Sequence, residues 1–309
     1  MRRETICLRY RIDTELTTER GLKMSNAIYE TITNSIIAEL EKGAAPWVKP
    51  WRADSTADHN LVSKKPYSGV NRLILGMAGM QHASNTWATY KQISEAGGNV
   101  RKGEKGTHIV FFKPVTKETR TSTGQTETES FAVIKSYCVF NASQCDGLEL
   151  PAPATEPTEF SAIDLAEQRI IKTGAIVSHG GDAAFYMPSA DRIQLPNKPT
   201  FATPEHYYAT AFHELIHWSG ADNRLARDLS QGRFGNPAYA FEELVAELGA
   251  AFLCQDHALA GELRHAGYIG SWLKALRDDK TAIFKAAALA QKAADYVNGL
   301  DATSISIAA

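Results

Sequence analysis

Between Ala27 and Leu40 the apolar residues Ile28, Ile32, Ile36, Ile37 and Leu40 recur at helical spacing, and Gly43 follows as a stop. That pattern predicts an amphipathic helix. After the proline- and tryptophan-bearing APWVKPW and a polar loop, KKPYSGVNRLIL leads into a second helical stretch ending near Gln81. TWATYKQISEAGGNVRKGEKG predicts a short helix closed by Gly97-Gly98, then a basic glycine turn. HIVFFKPV and SFAVIKSYCVFNASQ predict two strands, and the polar TKETRTSTGQTETES between them predicts a surface loop or hairpin tip. Past LELPAPATEPTEF, a Pro-, Ala- and Thr-rich stretch without periodicity, SAIDLAEQRIIKTG predicts a helix ending at Gly174. AIVSH, AAFYMP and DRIQLP predict strands joined by a tight GGD turn and a short PSA link, and three long helical patterns fill the remainder.

These elements predict an α+β protein. Residues 1–23 form an N-terminal extension, 24–146 a mixed α/β domain, 147–158 a linker, and 159–309 a mainly helical domain with a small antiparallel sheet. A chain of 309 residues is long enough for two such domains. The formal net charge of −2 gives no bulk attraction to any partner, so electrostatic recognition has to be local. Cys7, Cys138, Cys145 and Cys254 are scattered without a CxxC pair. Cys138 and Cys145 are close enough to suggest a bridge, yet a disulfide framework is normally denser, which points to reduced intracellular thiols. No apolar run approaches the roughly 20 residues that span a bilayer. The basic N-terminus lacks the apolar stretch of a secretory signal, and Met24 opens a better-patterned segment, so residues 1–23 are an upstream-start extension or an arm.

Candidate chemistry begins at Thr203-Pro204, an N-cap with proline at the first helical position, before PEHYYATAFHELIHWSG. Tyr208, Phe212, Leu215 and Ile216 form an apolar stripe. His213 and His217 are four residues apart and so project from one face. That geometry suits two nitrogen ligands on one Zn2+ ion, with Glu214 alongside as general base. Asn236-Pro237 repeats the cap-and-proline device before AYAFEELVAELGAAFLC, where Glu243 and Glu247 share a face among the apolar Leu244, Val245, Leu248, Ala251 and Phe252. Two carboxylates on so apolar a helix are costly to bury unless paired or metal-bound. One can coordinate zinc while the other orients a ligand histidine through its second nitrogen. The bland alternative is a solvated Glu242-Glu243-Glu247 face.

HELIH followed by ExxxE resembles the gluzincin metallopeptidases. That resemblance implies Glu243 as third ligand and Glu247 as the carboxylate supporting the first histidine, with Glu standing where the family usually has Asp. It also implies an extended peptide held on an edge strand, for which DRIQLP is the candidate, and an oxyanion-stabilising group among Tyr207, Tyr239, His257 and His265.

Upstream, aromatics and cations interleave: Trp47, Lys49, Trp51, Lys64, Lys65, Tyr67, Arg72, Trp87, Tyr90, Arg101, Lys102 and Lys105. Aromatic faces stack on unpaired bases at about 1–3 kcal/mol each while cations follow the phosphates, so single-stranded nucleic acid is one reading; the other is core Trp and Tyr beside lysines that are simply solvated. The ordered motifs PWVKPW, KPYSGVNRL, TWATYKQI, GGNVRKGEKGTHIVFFKP and YCVFNASQ resemble the N-terminal domain of the ArdC-type antirestriction proteins, from about Asn26 to Asn298 with the zincin-like half included. That resemblance implies a bacterial, cytoplasmic protein of a mobile element. It would bind single-stranded DNA, protect entering DNA from host restriction, and act on a restriction enzyme or another protein as substrate. Two alternatives stand beside it: a DNA-binding protein whose metal site is structural or vestigial, and an intracellular zinc peptidase with no DNA role.

Overall fold

The first periodic segment is helical over residues 26–40 (α1), and its Ile32, Ile36, Ile37 and Leu40 are all buried. The turn behind it ends at Gly43 with φ +84°, a backbone angle that favours glycine. The computed structural model describes residues 26–43, 47, 57–120, 126–148, 159–229, 237–259 and 268–299.

The next elements are β1 (His59–Asn60), α2 (Val70–Gly79), β2 (Thr86–Thr89), α3 (Tyr90–Glu95), β3 (Asn99–Val100), β4 (Thr107–Arg120), β5 (Thr126–Asn141) and β6 (Cys145–Asp146). Four strands form one sheet in the order β1-β2-β5-β4, parallel between β1 and β2 and antiparallel elsewhere, while β3 and β6 pair separately. TWAT is thus a strand rather than the start of a helix. Thr89 ends it with a reciprocal cap, its hydroxyl accepting from Gln92 N while Gln92 Oε1 accepts from Thr89 N, and this delays α3 to Tyr90. The polar stretch expected as a loop is mostly ladder, since β4 and β5 stay in register out to Arg120 and Thr126. Threonine is β-branched, which favours a strand over a loop. At Val110 the open edge of β4 is met by Asn71, which accepts from Val110 N at 2.8 Å and donates to Val110 O at 2.7 Å.

The second half carries α4 (Glu159–Thr173), β7 (Ile176–His179), β8 (Phe185–Met187), β9 (Arg192–Leu195), α5 (Pro204–Ser219), α6 (Pro237–Asp256), α7 (Ile269–Asp278) and α8 (Ala282–Val297). Its sheet runs β7-β9-β8, with β7 parallel and β8 antiparallel to β9. The sheet is therefore mixed, not purely antiparallel, and the GGD turn closes no hairpin. Burial explains the order: β9 carries the fully buried Ile193 and Leu195 and takes the middle, while β7 and β8 are partly exposed. DRIQLP is consequently the central strand, and β7 and β8 are the edges.

One core joins the two halves, with Ile36, Leu40, Trp47 and Leu73 in the same cluster as Phe212, Phe252 and Trp272. Thr33 Oγ1 donates to Lys280 O at 2.6 Å, and the rings of Tyr29 and Phe284 meet edge-on at 4.6 Å. Arg72, on α2, is buried against the end of α6. It donates to Phe252 O at 2.7 Å, Asp256 Oδ1 at 2.5 Å and Gln255 Oε1, and lies 4.7 Å over the Phe252 ring. A buried cation is tolerable only with such partners. Cys138, Cys145 and Cys254 are free thiols, so Cys138 and Cys145 form no bridge.

Candidate metal centre

The site begins with the cap of α5, where the Thr203 hydroxyl accepts from His206 N at 3.4 Å and Pro204 takes the first position. Tyr208, Phe212, Leu215 and Ile216 are buried as the stripe predicted. His213 and His217 then face a cleft of about 770 Å³. Asn236 lies outside the described residues, but Leu244, Val245, Leu248, Ala251 and Phe252 of α6 are buried as expected. Gly249 lets α6 approach α5 closely, since a Cβ there would lie 2.7 Å from Ile216 Cδ1. That approach brings the α6 carboxylates within reach of the α5 imidazoles.

His213 Nε2 and His217 Nε2 are 3.2 Å apart, and each is 3.5 Å from one oxygen of Glu243. Ligand atoms about 2.0–2.1 Å from a tetrahedral metal lie about 3.3 Å from one another, so the three separations have the span of a first coordination shell. Two imidazole nitrogens and a carboxylate also form a donor set suited to a divalent transition metal. His213, His217 and Glu243 are the group of side chains that could hold an ion among the described residues.

Behind these groups stand two further carboxylates. Glu247 Oε1 is 3.8 Å from His213 Nδ1, and Glu242 Oε1 is 3.2 Å from His217 Nδ1. Glu242 is itself gripped by the buried Arg227, whose Nη2 donates to Oε1 at 2.9 Å and whose Nε donates to Oε2 at 3.1 Å. Arg227 also donates to Ile216 O at 2.5 Å and Ser219 Oγ at 3.0 Å, tying the end of α5 to α6. Burial opposes protonation of His217, yet its hydrogen bonds to Glu242 and Glu243 outweigh it and push the imidazole up to about 10. His213 is also raised, burial again being overcome by Glu243 and Glu247. Burial pushes Glu243 and Glu242 the other way, but their histidine partners, with Arg227 at Glu242, hold both below the usual carboxylate range. The carboxylates around the two imidazoles favour positive charge at this point.

The buried Glu214 lines the cleft with the histidines, and Phe185 and Tyr186 of β8 line it too. Of the four oxyanion candidates, Tyr239 lines this cleft, its hydroxyl 3.3 Å from that of Tyr268. Burial, Tyr268 and Glu243 together push the Tyr239 phenol far above its usual range. Tyr207 is buried and bonded to His179 Nε2 at 2.9 Å. His257 packs behind Phe212 in a different cleft, and His265 lies outside the described residues. Tyr268 had no sequence signal, because it precedes a helix without marking its period.

The structure divides the expected nucleic-acid residues. Trp47 and Trp87 are fully buried, one packed on Trp272 and the other donating from Nε1 to Asp58 at 2.6 Å, so neither indole is available to a base. Arg72 is committed to α6 and is likewise removed from the surface set. Lys49 and Trp51 lie outside the described residues. Tyr90 is 59% exposed, Lys64, Lys65, Lys102 and Lys105 are exposed, and Tyr67 is half-buried with its hydroxyl accepting from Asn60. Arg101 is exposed too, but engaged with Glu104, Ser143 O and Asp146.

Comparison with known proteins fits both halves. Residues 26–140 match the N-terminal domain of anti-restriction factor ArdC, and residues 164–289 match a zincin-like metallopeptidase family. The crystal structure of metal-free antirestriction protein ArdC from plasmid R388 aligns with a TM-score of 0.72 at 38% identity, covering 87% of this chain and 96% of that one. The chain belongs to the ArdC antirestriction family. Its Mn(II)-bound R388 counterpart aligns with a TM-score of 0.68, also at 38% identity, over 88% of this chain and 97% of that one. A zincin-like domain together with a metal-bound relative makes the ArdC cleft a divalent-metal site. Protein y4eC of Sinorhizobium fredii (strain NBRC 101917 / NGR234) is 40% identical over 92% of this chain and 95% of its own length. Two TraC DNA primases of Escherichia coli are 39% and 36% identical over 89% and 90% of this chain, which spans only 27% and 20% of their lengths.

Proposed function

We propose that this ArdC-family protein binds single-stranded DNA through its N-terminal half and uses its C-terminal half as a Zn2+-dependent peptidase. The biological outcome is protection of a mobile element's entering DNA from restriction in the bacterial cytoplasm. The observation that carries the peptidase reading is the convergence of His213, His217 and Glu243 inside a cleft wide enough for a peptide. His213 Nε2, His217 Nε2 and the Glu243 carboxylate would hold the ion, with Glu247 and Glu242 orienting the two imidazoles. When bound, Zn2+ supplies Lewis acidity, which lowers the pKa of water to about 7 and polarises a carbonyl. Glu214 takes the proton from the attacking water and passes it to the leaving amine nitrogen. Tyr239 keeps its phenolic proton and donates to the developing oxyanion. The substrate is a protein, a host restriction enzyme being the candidate of most biological consequence.

The DNA-binding reading rests on the family of residues 26–140 and on the exposed lysines and tyrosine of that half. Glu214→Gln should retain zinc on elemental analysis and lose cleavage of protein substrates in a proteomic cleavage map. Undiminished cleavage by that variant refutes the mechanism. Protection that persists in Glu214→Gln assigns antirestriction to DNA coating alone. No binding of the parent protein to a labelled single-stranded oligonucleotide at low salt refutes the DNA reading.

A further inference from the structure

A second cleft, of about 630 Å³, lies between the two halves and away from the metal ligands. Lys65, Tyr67 and Arg72 line it from the N-terminal half, and Arg169 and Lys172 of α4 face them from the metallopeptidase half. Its acidic groups are already engaged. Asp256 accepts from Arg72 through Oδ1 and from Asn298 Nδ2 through Oδ2, and Asp295 accepts from Gln291. Burial also raises the Asp295 carboxyl. Lys65, Arg169 and Lys172 have no carboxylate partner among the described residues, and both lysines are exposed. The cleft therefore presents uncompensated positive charge contributed by both halves.

Tyr67 adds an aromatic wall, and lysines at the mouth suit phosphodiesters.

We propose that this cleft receives an unpaired nucleotide of single-stranded DNA, so that α4 of the metallopeptidase half is part of the DNA-binding surface. The inference rests on the DNA-binding reading above and extends it to residues that reading does not contain. The test is fluorescence anisotropy of a labelled oligo-dT on the full chain across a salt series, with Lys172→Glu and Lys65→Glu. The control is Lys274→Glu on α7, which changes net charge equally but does not line the cleft. Lys172→Glu and Lys65→Glu should each weaken binding on the order of tenfold and lower the slope of log K against log salt by about 0.7. Lys274→Glu should do neither, and equal unfolding midpoints verify that the variants are folded. If the parent binds but Lys172→Glu matches it in affinity and slope, the cleft is overturned while the DNA-binding reading survives. Equal weakening by all three variants also overturns it, as a bulk charge effect. A parent protein that binds no oligonucleotide removes both.

Discussion

Replacing Gly249 by alanine tests whether one close helix contact sets the geometry of the metal site. The added methyl carbon would lie 2.7 Å from Ile216 Cδ1, 2.8 Å from Cγ1 and 3.1 Å from Cγ2. Ordinary carbon contacts are about 3.5–4.0 Å, so the structure must open by about 0.7 Å or more. Ile216 is fully buried, and a β-branched side chain in a helix has one strongly preferred rotamer, so it has little room to step aside. Alanine gains about 1 kcal/mol in helix propensity over glycine. Overpacking costs about 1–3 kcal/mol, which leaves a net loss of up to about 2 kcal/mol. The displaced helices carry His217, next to Ile216, and Glu243, so the separation of their ligand atoms should widen as well. A shift of that size exceeds the roughly 0.5 Å tolerance of a preorganised site. Denaturant unfolding of the metal-free variant, and zinc titration against a chromophoric chelator, should show lower stability and at least about tenfold weaker binding. Ile216→Val removes Cδ1, the nearest atom, and should restore part of both in the double variant. A Gly249→Ala protein that is as stable as its parent and binds zinc equally well refutes the argument.

Arg227→Met should cost about 3–5 kcal/mol in chemical unfolding, because it strands the Glu242 carboxylate in the interior without its cation. Zinc affinity should drop about 10–100-fold in the same variant, read by chelator competition, as the orientation of His217 is loosened. Stability of the metal-free protein should depend on pH in a defined direction. His217 is raised from 6.5 to about 10 in the folded state, so its contribution is fully present below pH 6.5 and is lost as pH climbs to about 10. Glu242 and Glu243 are lowered, so theirs is present above the ordinary carboxylate range and is lost on acidification. Thermal midpoints that stay flat from pH 6.5 to 10 in metal-free protein count against this electrostatic picture.

The periodic parts of this fold were legible because periodicity is what burial imposes. Helices α1, α5 and α6 have apolar residues on the face that ends up inside, and Thr203-Pro204 marks a start that the cap confirms. His213 and His217 were legible from their i, i+4 spacing, whereas spacing left Glu243 and Glu247 open and only the gluzincin resemblance singled out Glu243, which is the one that converges with the histidines. Glu242 could not be read that way. It adjoins Glu243 in sequence but is turned about 100° around the helix, and it serves His217 instead of solvent. Arg227 comes from an irregular segment with no period to betray it. Composition misplaced Trp47 and Trp87, since an indole beside lysines has the same sequence signature whether it faces solvent or core. Strand order in the small sheet was equally hidden, because alternation identifies β9 as a strand but not as the middle one.

The shared core has a consequence for how such a gene can be cut and joined. Helix α1 and Trp47 belong to the first matched region, yet they pack against α7 and α8 at the far end of the chain. A recombination event between β6 and α4 would leave each product with an apolar face its partner had covered. The two halves are therefore expected to be inherited together, and the TraC primases fit that rule by matching about nine-tenths of this chain as one block within much longer proteins. In mobile elements that reassort freely, the contact between the halves acts as linkage at the level of the gene.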